Sequence, residues 1–506
     1  MDSEMIQNNP AVQSAPSAAQ TAAPKTVIRA HDTVFVWISF ILGFLIVRYA
    51  VFNPNGFATT AASLLTFACS AVYVMRSGIR PTARQWILGA VICVFSCVFS
   101  FTASVLLHVL CFIFLITAQF WWVQAAAIHA RFVTRFFPFD LIRTIFLQPL
   151  LDISSAPRAM KAAVKGSAKA AALRNALIGL AATIPLTAVV AGLLADADSG
   201  VEDMLFRLTQ LITNDVAATI VQLILAVPAG FLIFGMMRAD AVQKLYPLPS
   251  DYYYHEKFSR LSVLPASAVY AGVTPICVLY LMYFISQANY FLSAFAGRLP
   301  DNMAYSEYAR RGFFELCTIA VINLAVILGM LTFSKKREGK PSPALKAYTC
   351  IISTFTLFII STAIAKMFMY IGEYGLTRLR LYTSWFMVLL AVVFTVLMIR
   401  AFVPNFHTSS AISAAFIILF GILCFSRPDA VIAEYNISLY EQGVLPTLDT
   451  DMLCKLSDDA YVVMLKHYDT MSSDPVFTKR LQYRLSDYEE QPMLTYNLSS
   501  MRVAQH

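Results

Sequence analysis

Long charge-free runs, each close to the length of a bilayer crossing and separated by short charged connectors, restrict this chain to a membrane-embedded helical bundle. About 20 apolar residues in a helix bridge the hydrocarbon core, and the backbone there must satisfy its own hydrogen bonds. On that ruler eleven segments qualify: 34–52, 57–75, 86–101, 103–126, 175–195, 216–237, 263–285, 316–333, 347–370, 383–402 and 410–426. The run from Gln85 to Ala130 is continuous, so we divide it at Ser100-Phe-Thr102. A chain that is 58% hydrophobic and 13% charged fits the same class. The expected fold is all-α and polytopic, with about eleven transmembrane helices.

The two ends read differently. Residues 1–30 are rich in Ala, Gln, Pro and Ser, which predicts a disordered cytoplasmic tail rather than a signal peptide. The apolar run that begins near Val34 is too long for a signal segment and is expected to remain as an anchor. After the helical domain 31–426, residues 427–506 carry 12 acidic and 7 basic residues. Ser457-Asp-Asp-Ala and Asp474-Pro475 resemble helix starts, so a small helical appendage is expected there. Asn436-Ile-Ser438 and Asn497-Leu-Ser499 match the glycosylation triplet, which matters only in a secretory pathway.

Orientation follows from basic residues, which accumulate in cytoplasmic loops. Loops 76–85, 130–174, 238–262, 334–346 and 399–409 together hold 21 basic and 6 acidic residues, whereas the opposite face holds 13 basic and 21 acidic. The amino end is therefore expected inside and residues 427–506 outside. In the long inner loop, Lys161, Lys165 and Lys169 form a basic stripe that suits an interfacial amphipathic helix. Pro185, Pro228, Pro265 and Pro275 interrupt spans five to seven, where kinks could shape a cavity.

Several chemistries lack their residues. No expected span has an interior Asp or Glu, which weighs against a proton-driven carrier. The histidines are scattered without ligand spacing, and no Walker loop or dinucleotide fingerprint occurs. Eight of nine cysteines fall in spans, where Cys packs as a small apolar residue; Cys454 alone is expected outside the bilayer. The first outer loop, Asn53-Pro-Asn-Gly56, lacks the carboxylate expected of a transferase using lipid-linked donors. Asp196, Asp198, Glu202 and Asp203 could substitute, although an acidic run is more often a solvated loop. No catalytic residue, metal or cofactor site is assigned, and nucleic acid is not expected as a partner.

What remains is a set of arginines on the acidic face. Arg310, Arg311, Arg378 and Arg380 occupy two segments beside spans eight to ten, with Tyr308, Tyr374 and Tyr382 nearby. Guanidinium forks match phosphate geometry and tyrosines suit headgroup depth, so these seven residues form a candidate anion site. Glu307, Glu315 and Glu373 are candidate structural partners that could neutralise the arginines instead. Arg48 and Lys366 can snorkel toward the same layer.

The same segments carry a family likeness. Tyr308-Ala-Arg-Arg-Gly-Phe-Phe-Glu-Leu316, Met369-Tyr-Ile-Gly-Glu-Tyr-Gly-Leu-Thr-Arg-Leu-Arg-Leu-Tyr-Thr-Ser-Trp385, Ala433-Glu-Tyr-Asn436 and Leu456-Ser-Asp-Asp-Ala460 follow one another in the second half of the chain. In that order they resemble the bacterial membrane family catalogued as domain of unknown function 4173. The resemblance implies a bacterial cytoplasmic-membrane protein and no particular activity.

The functional expectation is thus a non-enzymatic envelope protein in contact with membrane lipids, binding an anionic headgroup or lipid-linked precursor at its outer face. A solute or lipid transporter is the alternative, with Gln119, Gln222 and Asn323 lining a central cavity. A membrane transferase comes third.

Overall fold

A computed structural model describes residues 26–52, 56–129, 133–163, 214–295, 313–335, 342–403, 406–490 and 496–505, with isolated positions between 183 and 200. Among the described residues the regular structure is helical, and the only bridge joins Leu264 to Ser334. Ten described helices are long and apolar enough to cross a membrane. The chain is a polytopic, all-helical membrane protein. The expected span 175–195 falls almost wholly outside the described residues, as do Pro185 and residues 1–25.

The long helices are α1 (Asp32–Ile46), which continues as a π-helical stretch Val47–Phe52, α2 (Phe57–Arg76), α3 (Ala83–Ser96) and α4 (Val105–Ala127). Next come α5 (Phe137–Ile142), running on without a break to Leu151, and the short α6 (Ser155–Ala163). After them lie α7 (Asn214–Met237), α8 (Ala239–Leu245), α9 (Asp251–Leu261), α10 (Ala266–Phe295) and α11 (Phe313–Phe333). The last spans are α12 (Pro343–Tyr374), α13 (Arg378–Phe402) and α14 (Thr408–Phe425). The carboxy-terminal appendage consists of α15 (Pro428–Glu441), α16 (Thr450–Cys454), α17 (Asp458–Lys466), α18 (Pro475–Glu490) and α19 (Leu498–Ala504).

The helices pack around two apolar cores. One joins α1–α4, α6, α7 and α14; the other joins α10–α13 to the appendage. α1 and α7 run antiparallel, since Arg48 reaches Gln222 at 3.3 Å while Asp32 meets Arg238 at the other end. A Cβ on Gly43 would come within 2.7 Å of the Gly230 nitrogen, and one on Gly230 within 2.5 Å of the Phe40 ring. Glycine is required here because small residues let membrane helices approach closely. Pro228 lies within α7 at an exposed position.

Polar side chains inside the bundle connect helices. Asn323, fully buried, donates to Thr356 at 2.8 Å and accepts from the Tyr280 hydroxyl. Gln119 and Gln222 are also buried, so the residues expected to line a transport cavity lie within packed helices. α6 lays Ala156 and Ala159 against the bundle and leaves Lys161 exposed, while Lys165 and Lys169 lie outside the described residues.

The division between the third and fourth spans falls at Thr102-Ala-Ser104. A helix break at a membrane boundary frees backbone donors that need partners. Here Asp459 of the appendage supplies one, accepting from the Ala103 nitrogen at 3.0 Å. The appendage thus completes the bundle end on which it sits.

Cys454 lies beyond the last span but is enclosed. Its α16 helix folds into the appendage core, leaving the residue only 4% exposed, because a small apolar side chain fills space beside Leu453 and Tyr461. Burial pushes its thiol above the usual range.

Candidate functional site

Two of the four candidate arginines are described. Arg378 sits in the first turn of α13, capped by Thr377, and forms a two-pronged ion pair with Asp429 at 2.8 and 2.6 Å. Asp429 is fully buried, and it also accepts from the Ser457 nitrogen at 3.0 Å. Burial alone would raise this carboxyl, but the bonds from Arg378 and Ser457 outweigh it and hold it below the usual carboxylate range. Arg378 therefore ties α13 to α15 and α17.

Arg380 is placed otherwise. Its Nη1 donates to the backbone carbonyls of Tyr374 and Gly375, closing the end of α12, and its guanidinium lies over the Tyr370 ring at 4.1 Å from the centroid. Among the described residues, Nε and Nη2 have no protein acceptor. Tyr374 and Leu379 beside it are 45% and 61% exposed, so the cation stands in a partly apolar and aromatic surround. Tyr382 is turned inward with its hydroxyl buried, and Glu373 is exposed. Arg310, Arg311, Tyr308 and Glu307 lie outside the described residues, as does the side chain of Glu315.

The appendage is fixed at two further points. Asp459, fully buried, accepts from Thr102 and Ser499 hydroxyls at 2.5 Å each and from Arg427 Nε at 3.1 Å. Arg427 adopts φ +52°, an uncommon conformation for a side-chain-bearing residue, between the last span and α15. Asn436 then presents its amide to Leu376, accepting from its nitrogen and donating to its oxygen at 2.7 Å each. Asn497 caps α19 by accepting from the Ser499 and Ser500 nitrogens at 2.9 Å. Both asparagines of the glycosylation triplets are thus buried and engaged in holding the fold.

The opposite end of the bundle holds an ionic cluster that sequence reasoning missed. Arg238, wholly buried, donates to Asp152 at 2.7 Å, to the Val27 carbonyl at 3.1 Å and to Asp32. Asp32 also accepts from the Tyr73 hydroxyl at 2.6 Å, and Asp152 from Thr26 at 2.5 Å. Arg29 pairs with Asp240 at 2.5 Å, and Arg158 reaches the Thr26 carbonyl at 2.6 Å. Burial opposes the charge on Arg238, yet the attraction of Asp152 and its neighbours outweighs it and raises the guanidinium above its ordinary value. Three arginines meet three aspartates, so the cluster is neutral and acts as a strap across the Thr26–His31 segment, α6 and the end of α7. The available signal was the placement of Asp32 and Arg238 immediately beside span ends.

Chemically, then, the described residues offer three polar joints to the appendage, one neutral ionic cluster and one partly open cation. A family model described as a domain of unknown function (DUF4153) matches residues 89–467. This corrects the resemblance to family 4173. The motifs that suggested it are largely helix-end joints, Arg378 to Asp429 and Asn436 to Leu376, which do not distinguish one helical membrane family from another. Neither the curated proteins nor the solved structures give a match. Because the match covers well over half of its length, the chain belongs to the DUF4153 family.

Proposed function

We propose that this protein is a non-enzymatic membrane protein whose appendage-bearing face holds an anionic lipid headgroup or lipid-linked precursor, with Arg380 as its principal contact. The observation that carries this reading is the guanidinium of Arg380, stacked on Tyr370 beside exposed Tyr374 and Leu379, with Nε and Nη2 lacking an acceptor among the described residues. A cation held on aromatic rings at the mouth of apolar helices suits a phosphate whose acyl chains run down the bundle. Arg378 serves as the positioning residue that fixes the start of α13 through Asp429.

The charge asymmetry of the loops supports an orientation with the Arg238 end facing the cytoplasm and the appendage outside a bacterial cytoplasmic membrane.

Native mass spectrometry of the purified protein tests the reading. Arg380→Ala should lose co-purifying anionic phospholipid, while Arg378→Ala should keep it if the appendage stays docked. Equal lipid retention by wild type and Arg380→Ala would overturn the assignment.

A further inference from the structure

The helical rod from Phe137 to Leu151 has its amphipathicity inverted. Asp140, Thr144, Gln148 and Asp152 recur every fourth residue and are all buried. Asp140 accepts from Tyr254 at 2.6 Å and Thr134 at 2.5 Å, and Asp152 binds Arg238 at 2.7 Å. The other face presents Phe139, Ile142, Phe146, Leu150 and Ile153, which are 50, 58, 66, 57 and 49% exposed. A helix that buries its polar stripe and bares its apolar one is built for a surrounding less polar than water.

Its depth is fixed by neighbours. The Phe137 ring packs edge-on against Trp121 at 4.9 Å. Trp121 lies six residues before the end of α4 at Ala127, which at 1.5 Å per residue places the contact about 9 Å inside that span. At the other end, a Cβ on Gly235 of α7 would stand 3.0 Å from Pro149, two residues inside the end of that span at Met237. The rod is about 22 Å long at 1.5 Å per residue, too short to cross, and it lies over the ends of two crossing helices within the layer they occupy.

We infer that residues 137–153 form an in-plane membrane helix whose stripe Phe139, Ile142, Phe146, Leu150 and Ile153 is immersed among the acyl chains of the leaflet at the Arg238 end. The occupant is lipid because the helix sits at the depth of the spans and its outer face is continuous in character with the exposed apolar flank of α7, including Leu225 and Leu232. The stripe lies upstream of the basic 157–174 segment, whose described part instead packs its alanines on the bundle. This inference concerns the face opposite Arg380 and stands independently of the proposed headgroup site.

Photocrosslinking in proteoliposomes of phosphatidylethanolamine and phosphatidylglycerol tests it. With p-benzoylphenylalanine placed at Phe146, and separately at Ile142, irradiation should add the mass of one phospholipid to the chain. The same probe at Tyr483, 76% exposed on the appendage, should add none. A crosslinked dimer at positions 142 and 146, marking a second copy as the occupant, would overturn the inference. So would the absence of any lipid adduct at both positions.

Discussion

Arg238 and Asp32, separated by 206 residues in sequence and both fully buried, are bonded to each other at the end of the α1–α7 pair. Neither charge could stay in that position alone, since an unpaired buried ion is strongly penalised. Arg238→Leu leaves two carboxylates without their cation and should cost about 3–5 kcal/mol, the range for breaking a buried pair. Arg238→Lys should recover only part of this, because one ammonium cannot reproduce the fork that reaches Asp32, Asp152 and Val27. Thermal unfolding in detergent checks both; equal melting of Lys and wild type would contradict the fork geometry.

Asp459 joins the appendage to the break between α3 and α4. Asp459→Ala removes the acceptor for Thr102, Ala103, Ser499 and Arg427 together. Limited proteolysis should then cleave residues 427–506 much faster while the spans remain protected. Unchanged cleavage would mean that the apolar contacts of α15 and α17 suffice for docking.

Gly375 has φ +74°, and a Cβ there would overlap the Asn436 side-chain oxygen. Gly375→Ala should lose at least about 1 kcal/mol from the backbone conformation alone, with the overlap added. In a double-mutant cycle with Asn436→Ala the two effects should be less than additive, because the second change removes the obstacle. Strict additivity would place the damage elsewhere.

Asp429 gives the appendage a pH dependence with a definite sign. Its carboxyl lies below the ordinary value of 3.8, so its stabilising contribution is full above that value and disappears as the pH falls through the depressed one. Release of the appendage, followed by proteolysis or by fluorescence of a label on it, should therefore rise in strong acid. Arg378→Ala should abolish this titration, and an identical acid profile in the variant would assign it to another group.

Cys454 should resist a membrane-impermeant maleimide in the folded protein and react after denaturation, since it is buried in the appendage core. Orientation is better read from Tyr483→Cys, at a site 76% exposed. Labelling of that site in intact cells, above the wild-type background, is the expected outcome; labelling only after lysis would invert the orientation.

The helices were legible because hydropathy is a local property. Segment lengths around 20 residues marked the crossings, and the break expected at Ser100-Phe-Thr102 lies two residues later, at Thr102-Ala-Ser104. The partners of the arginines were not legible, because pairs such as Arg378 with Asp429 or Thr102 with Asp459 are made by tertiary packing, the latter across 357 residues. Glu373, the nearest carboxylate in sequence, was a natural candidate; the bonded one belongs to another helix. The burial of Cys454 was not legible for the same reason, since lying beyond the last span does not reveal whether a small secondary core will enclose a residue. The inverted stripe of 137–153 was present in the sequence, but its alternation with polar residues masks it from a search for continuous apolar runs.

The joint between Asp459 and Thr102 also orders events in time. Thr102 and Ala103 emerge from the ribosome long before residues 457–459 exist, so the first four spans must enter the bilayer with that break still open. Only a chain extended past Asp459 can close it, so the carboxylate that seals the break between the third and fourth spans arrives after every described crossing has been made.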